Sequence, residues 1–122
     1  MSDETKRQDL RLRTKRFALR IINMCDKLPE SRTGRILGDQ VFRSGTSVAA
    51  NFREAYRGRS RAEFLSKLGD SQKELEETIL WLELLGDSGT VKPGKLSALL
   101  GEADELMSIL SSIIKHTKSG LS

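Results

Sequence analysis

Three observations predict an all-α chain folded as an antiparallel up-down-up-down four-helix bundle. Apolar residues recur at spacings of three and four in four segments, turn chemistry separates those segments, and β-branched or aromatic runs that would build strands are scarce. The composition agrees: 37% hydrophobic and 31% charged residues suit long helices with one face in water, and 122 residues suit a single domain.

The first helix is expected over about 9–28, with Phe17, Ile21, Met24, Cys25 and Leu28 on one face. Pro29 closes it, because a residue before proline is pushed out of the α region. The second spans about 33–56 and buries Leu37, Val41, Ser44, Val48, Phe52 and Ala55. Gly45 weakens this helix in isolation but lets a neighbour approach closely. A break at Arg57-Gly58-Arg59 precedes the third helix, over 61–85, which opens on the capping box Ser60-Arg61-Ala62-Glu63. Phe64, Leu68, Ser71, Leu75, Thr78, Leu82 and Leu85 then form an unbroken seam suited to the shallow crossing of a bundle. Gly86-Asp87-Ser88-Gly89 ends it. The fourth helix spans about 93–116 from Pro93, a residue favoured in a first turn, and buries Leu96, Leu99, Leu100, Ala103, Leu106, Met107, Leu110, Ile113 and Ile114. Residues 1–8 and 117–122 are expected to fray. Short connections between long helices make successive neighbours antiparallel.

The single cysteine, Cys25, cannot form an intrachain disulfide, and the polar N-terminus lacks the apolar stretch of a secretory signal, so a cytoplasmic setting is expected. The longest apolar run, from Thr78 to Leu85, is too short to span a membrane. Net charge is +4 but unevenly spread: residues 1–20 hold seven Lys/Arg against three acids, and residues 31–67 hold eight against three. From residue 68 onward the balance reverses to five against nine. Such asymmetry suits a polyanion site on one half or contact between copies.

No enzyme reading survives the residue inventory. A di-iron bundle needs Glu-x-x-His motifs on facing helices, and the one histidine, His116, has Ile113 three positions before it. No Cys/His spacing suits zinc and no Gly-rich phosphate loop is present. Cys25 lies on an apolar face, as a buried thiol does. No catalytic residue, metal or cofactor is therefore expected.

Two polar stripes stand out. Arg43, Ser47, Asn51 and Glu54 share a face of the second helix, and Lys67, Asp70, Glu74, Glu77 and Trp81 share one of the third. In a tight hairpin Arg43 comes level with Glu74, Ser47 with Asp70 and Asn51 with Lys67. An interhelix polar network of Arg43, Asn51, Glu74 and Glu77 follows, with Arg43 paired to Glu74 or Glu77. Basic residues cluster at the hinge between the second and third helices, at Arg53, Arg57, Arg59, Arg61 and Lys67, and again near the N-terminus, at Lys6, Arg7, Arg11, Arg13, Lys15, Arg16 and Arg20. Arginine predominates in both, as suits bidentate phosphate contacts. The hinge set is the candidate nucleic-acid-binding site, contacting backbone rather than reading sequence. Tyr56 either stacks on a base or flanks the core.

The segment Arg43-Ser44-Gly45-Thr46-Ser47-Val48-Ala49-Ala50-Asn51-Phe52-Arg53-Glu54-Ala55, followed by Ser60-Arg61-Ala62-Glu63-Phe64-Leu65-Ser66-Lys67, resembles the bacterial four-helix bundle proteins first noted inside intervening sequences of 23S ribosomal RNA. Glu74, Glu77, Thr78, Trp81, Leu82, Glu83 and Leu84 extend the match. Ala55 stands where the commoner pattern has glycine. The resemblance implies a four-helix bundle, a barrel-shaped homopentamer and no defining enzymatic activity. A related group, the accessory proteins of diversity-generating retroelements, implies RNA, DNA or a reverse transcriptase as partner.

The expected function is thus a non-catalytic oligomeric scaffold binding nucleic acid, or a nucleic-acid enzyme, through a basic surface. The alternative is a protein–protein adaptor without a nucleic-acid role, which the acids of the C-terminal half favour. Assembly is expected from the third helix as well. Its second half is apolar almost all round, so Leu80, Trp81 and Leu84 are left over by the core seam and form the expected oligomer interface.

Overall fold

Helix-forming sequence in this chain outruns its expected boundaries. The computed structural model describes residues 3–120 and contains α1 (Asp3–Asp26), α2 (Arg32–Ala55), α3 (Arg61–Asp87) and α4 (Pro93–Lys118), with no strand among the described residues. Residues 3–8, 117 and 118, expected to fray, are helical. Tertiary burial is the reason. Leu10 and Thr14 continue the buried seam of Phe17 and Ile21 toward the N-terminus, and Thr117 is buried near the other end of the chain. The Thr14 hydroxyl is satisfied within its own helix, donating to the Leu10 carbonyl at 2.9 Å. Ser119 and Gly120 follow α4 as a turn, and the other residues expected to fray, Met1, Ser2, Leu121 and Ser122, lie outside the described residues.

Turn chemistry acts where the sequence places it. Ser31 caps α2, its hydroxyl accepting from the Gly34 N–H at 3.0 Å. Ser60 caps α3 by accepting from the Glu63 N–H at 3.1 Å. Glu63 answers the cap one residue further back than the usual box, accepting from the Arg59 N–H at 2.7 Å. Helix α1 ends at Asp26, two residues before the expected boundary, and Lys27 and Leu28 lead to Pro29 through tight-turn bonds to Met24 and Cys25. Beyond α3, Gly89 has φ +77°, a left-handed conformation that any side chain would strain. The Gly89 and Val91 N–H groups then satisfy the Gly86 and Leu85 carbonyls.

Each helix packs on its neighbours in sequence and α1 closes against α4, while α1 and α3, like α2 and α4, lie diagonally opposite across the core. With five-residue connections between successive helices, this is the antiparallel four-helix bundle. One apolar cluster occupies its centre. Phe17, Ile21, Val41, Val48, Phe52, Leu68, Leu75, Leu82, Leu85, Leu96, Leu106 and Leu110 are essentially solvent-free. Burying each such side chain stabilises the fold by about 1.5–3 kcal/mol. The α2–α3 pairing is the most extensive. Small polar residues line it: Thr78 Oγ1 donates to Ser44 Oγ at 2.8 Å, and Ser71 Oγ donates to the Val48 carbonyl at 2.8 Å. On the other side of α2, a Cβ at Gly45 would lie 2.9 Å from Ile21 Cγ1, so this glycine sets how closely α1 approaches.

Candidate nucleic-acid interface

The hinge cations expected to act together are divided among different tasks. Arg61 sits in the first turn of α3, and its Nη2 donates to the Thr117 carbonyl, satisfying a backbone acceptor at the end of α4. Lys67 pairs with Glu54 across the hairpin at 2.9 Å and more loosely with Asp70 at 3.9 Å. The hydrogen bond it donates to Glu54 is the main reason its ammonium is held above its ordinary pKa. Arg59 is exposed and uses its backbone N–H in the α3 cap. Arg57 borders a recess with Lys67, Glu54 and Glu63, and Arg53 and Arg57 turn to one other place.

That place is a cleft of about 130 Å³ between the start of α1 and the end of α2, lined by Arg7, Arg11, Phe52, Arg53, Tyr56 and Arg57. Sequence reasoning kept the N-terminal and hinge arginines as separate groups, and the fold merges them. A signal was available: Arg7 and Arg11 are one helical turn apart, as are Arg53 and Arg57. In the antiparallel α1–α2 pair the start of α1 lies beside the end of α2, which brings Arg7 and Arg11 to the same end of the bundle as Arg53 and Arg57.

Electrostatically the cleft is one-sided. No carboxylate lines it, and among the described residues Arg11, Arg53 and Arg57 form no ion pair. Arg7 has one loose partner on its own helix, Glu4 at 3.5 Å. Arg53 Nε is buried without a hydrogen-bond acceptor. A buried donor without an acceptor costs about 1–3 kcal/mol, so this atom favours any ligand oxygen that reaches it. The Arg7 guanidinium lies over the Tyr56 ring, 5.2 Å from its centroid. Tyr56 also packs on Phe52 and Phe64, with centroid separations of 5.1 and 5.0 Å. Of the two roles open to Tyr56 in the sequence, flanking the core is the one it fills.

Arg13 and Arg43, by contrast, are paired across helix seams. Arg13 joins α1 to α4 with Nε and Nη2 on Glu102 at 3.2 and 2.6 Å, and reaches Glu105 at 3.2 Å. Its hydrogen bond to Glu102 leads the causes that raise its pKa. Arg43 lies 3.1 Å from Glu74 and 3.3 Å from Glu77, bridging α2 and α3. The Arg43 side chain is 52% exposed, which limits such pairs to about 0–1 kcal/mol. Asn51 forms no side-chain hydrogen bond among the described residues; Lys67 takes the carboxylate of Glu54 instead, the stronger partner for an ammonium. Ser47 turns back to the Arg43 carbonyl at 2.7 Å rather than across to Asp70.

The residues expected at an oligomer interface also separate. Leu80 and Leu84 are 47% and 37% exposed, whereas Trp81 packs against the core with its indole N–H buried and without an acceptor. Exposed apolar side chains occur on α1 too, at Leu12 (45%) and Leu19 (50%), and on α2 at Ile36 and Phe42. Among the described residues no group of three His, Cys, Asp or Glu is placed to hold a metal, and no helix is long and apolar enough to cross a membrane.

Four long helices around one apolar core, with polar pairs along their seams, define a small all-α four-helix bundle protein. The chain belongs to the 23S rRNA-intervening sequence protein family, matching it over residues 6–112. A solved structure of a protein of unknown function from the S23 ribosomal protein family of Bacteroides thetaiotaomicron is similar, with 36% identity and a TM-score of 0.82. The similarity covers 87% of this chain and 98% of that one. No curated protein matches the chain.

Proposed function

We propose that this protein is a non-catalytic, oligomeric scaffold that binds nucleic acid through its phosphate backbone, or docks a nucleic-acid enzyme, by the basic surface around the α1–α2 cleft. The observation that carries the reading is the convergence of Arg7, Arg11, Arg53 and Arg57 on one cleft that no acid lines. Arg13, Arg43 and Lys67 are held by carboxylates across helix seams, whereas Arg11, Arg53 and Arg57 form no ion pair among the described residues and come together in one cleft, which suits an external polyanion. Guanidinium groups favour phosphate oxygens, contacts that hold a strand without reading its sequence. Membership of a family named for 23S ribosomal RNA intervening sequences agrees with a nucleic-acid setting.

Assembly into a ring, with a homopentamer as the expected size, is part of the proposal. Leu12 and Leu19 on α1 and Leu80 and Leu84 on α3 give the chain apolar strips on two diagonally opposite helices. Two different strips suit head-to-tail contact between copies, and such contact closes into a ring when the rotation permits. A ring repeats the cleft and multiplies weak phosphate contacts into avidity. The test is mobility of single-stranded RNA and DNA across a salt series. Binding should weaken with salt, with a log–log slope of about 0.7 per phosphate contact on a single strand. Arg11→Glu with Arg57→Glu should flatten the slope and weaken binding without unfolding the protein. Salt-insensitive binding, or none, would favour the protein–protein adaptor.

A further inference from the structure

The cleft's dimensions and charge narrow the ligand further, on the basis of the nucleic-acid reading above. We infer that the arginine cleft seats a single terminal phosphate, the phosphomonoester at the end of a nucleic-acid strand. Size comes first. At about 130 Å³ the cleft is well below the roughly 300–1,000 Å³ that engulfs a whole small molecule, so it takes one group of a larger ligand.

Charge decides which group. Four arginines line this space and no carboxylate does; Glu4 makes a loose contact with Arg7, and Glu54 and Glu63 lie with Arg57 around a neighbouring recess. An internal phosphodiester brings a single negative charge and two free oxygens. A phosphomonoester brings about −1.5 to −2 and three strong acceptor oxygens. The second is the better match for four forked donors around one small volume.

Two further observations agree. Arg53 is half-buried in the cleft wall and forms no ion pair among the described residues, so a ligand oxygen that meets its guanidinium has to enter the cleft rather than graze its rim. Chain ends enter a confined space more readily than a continuous strand does. Tyr56, the aromatic in the wall, has the Arg7 guanidinium over its ring and packs on Phe52 and Phe64. It therefore positions Arg7 instead of serving as a platform for a base. Recognition is of the phosphate, and is independent of sequence.

The experiment compares one short single-stranded RNA in three forms by fluorescence anisotropy at fixed ionic strength: 5′-phosphorylated, 3′-phosphorylated, and hydroxyl at both ends. The wild-type protein should bind one phosphorylated form about tenfold or more tightly than the hydroxyl form, the scale of one added charge-assisted hydrogen bond. Arg7→Ala and Arg57→Ala should each abolish that preference, whereas Arg59→Ala should retain it. Arg53→Lys, which keeps the charge and removes Nε, should reduce it. Equal binding of the three forms, still weakened by salt, overturns end recognition and leaves the nucleic-acid reading standing. A preference that survives in both Arg7→Ala and Arg57→Ala overturns the location. Failure of all three RNAs to bind overturns both readings.

Discussion

At Cys25 burial and charge act in the same direction. Burial first, then the Asp26 and Asp39 carboxylates, push the thiol from 9.0 up to about 11. Only the thiolate reacts with alkylating reagents, so two pH units lower its reactive fraction about a hundredfold. Alkylation at pH 8 should accordingly be about a hundredfold slower in the native protein than in urea, and equal rates would show that the thiol is not shielded. The same shift has a stability consequence. Because the folded-state value is the higher one, the thiol contributes no penalty below about pH 9, and stability is lost as pH rises from about 9 to about 11. A second residue-scale feature is the Thr78–Ser44 contact, fully buried between α2 and α3. Thr78→Val removes the donor both to Ser44 Oγ and to the Glu74 carbonyl, and should cost about 1–2 kcal/mol in urea denaturation. Adding Ser44→Ala should cost less than its own single effect, since both polar partners are then gone. Strict additivity would mean that the two hydroxyls are not coupled.

Between elements the decisive position is Gly45. Alanine there gains about 1 kcal/mol in helix propensity, yet its Cβ would lie 2.9–3.0 Å from Ile21 Cγ1 and Cγ2. Ile21 is completely buried and has no free direction in which to yield. Overpacking of this kind costs about 1–3 kcal/mol, so Gly45→Ala should be neutral to destabilising and Gly45→Val clearly destabilising. Ile21→Ala opens the space, so combining it with Gly45→Val should cost less than the two single losses added together. Urea midpoints of the four proteins decide the matter, and full additivity would place the clash elsewhere. On the other side of α2, the Arg43 pairs and Lys67–Glu54 lie at the rim of the α2–α3 seam. Their exposure keeps what they add to stability small.

For the whole molecule, the exposed strips on α1 and α3 set the expected assembly. Leu80→Glu with Leu84→Glu places charge on positions that the monomer already exposes, so the fold should tolerate the change while contacts between copies should not. Light scattering at micromolar concentration should give a multiple of 13.6 kDa for the wild-type chain and a smaller mass for the variant. A wild-type mass of 13.6 kDa would refute assembly; a dimer would refute only the ring. Trp81 belongs to a different part of this picture from its neighbours. With its ring packed against the core, it supports the helix that presents Leu80 and Leu84.

Local chemistry is why so much of the fold was legible in the residues alone. A seam such as Leu68-Ser71-Leu75-Thr78-Leu82-Leu85 needs no partner to be recognised, because the period of the helix is written into its spacing. Ser31, Ser60, Glu63 and Gly89 likewise act on backbone groups within a few residues of themselves, so the helix limits near them follow from short-range bonding. The start of α1 was not legible, since what holds residues 3–8 in place is the burial of Leu10 and Thr14 and the contact of Arg7 with Tyr56. Among the candidate binding residues, composition marked the basic segments and the arginines within them. Which of those arginines act together was decided by packing alone. Arg61 turns to the end of α4 and Lys67 to Glu54, while Arg53 and Arg57 meet Arg7 and Arg11 from the other end of the α1–α2 pair. Helical periodicity is a property of each segment by itself, whereas a cleft belongs to the distance between segments, and only the closed bundle sets that distance.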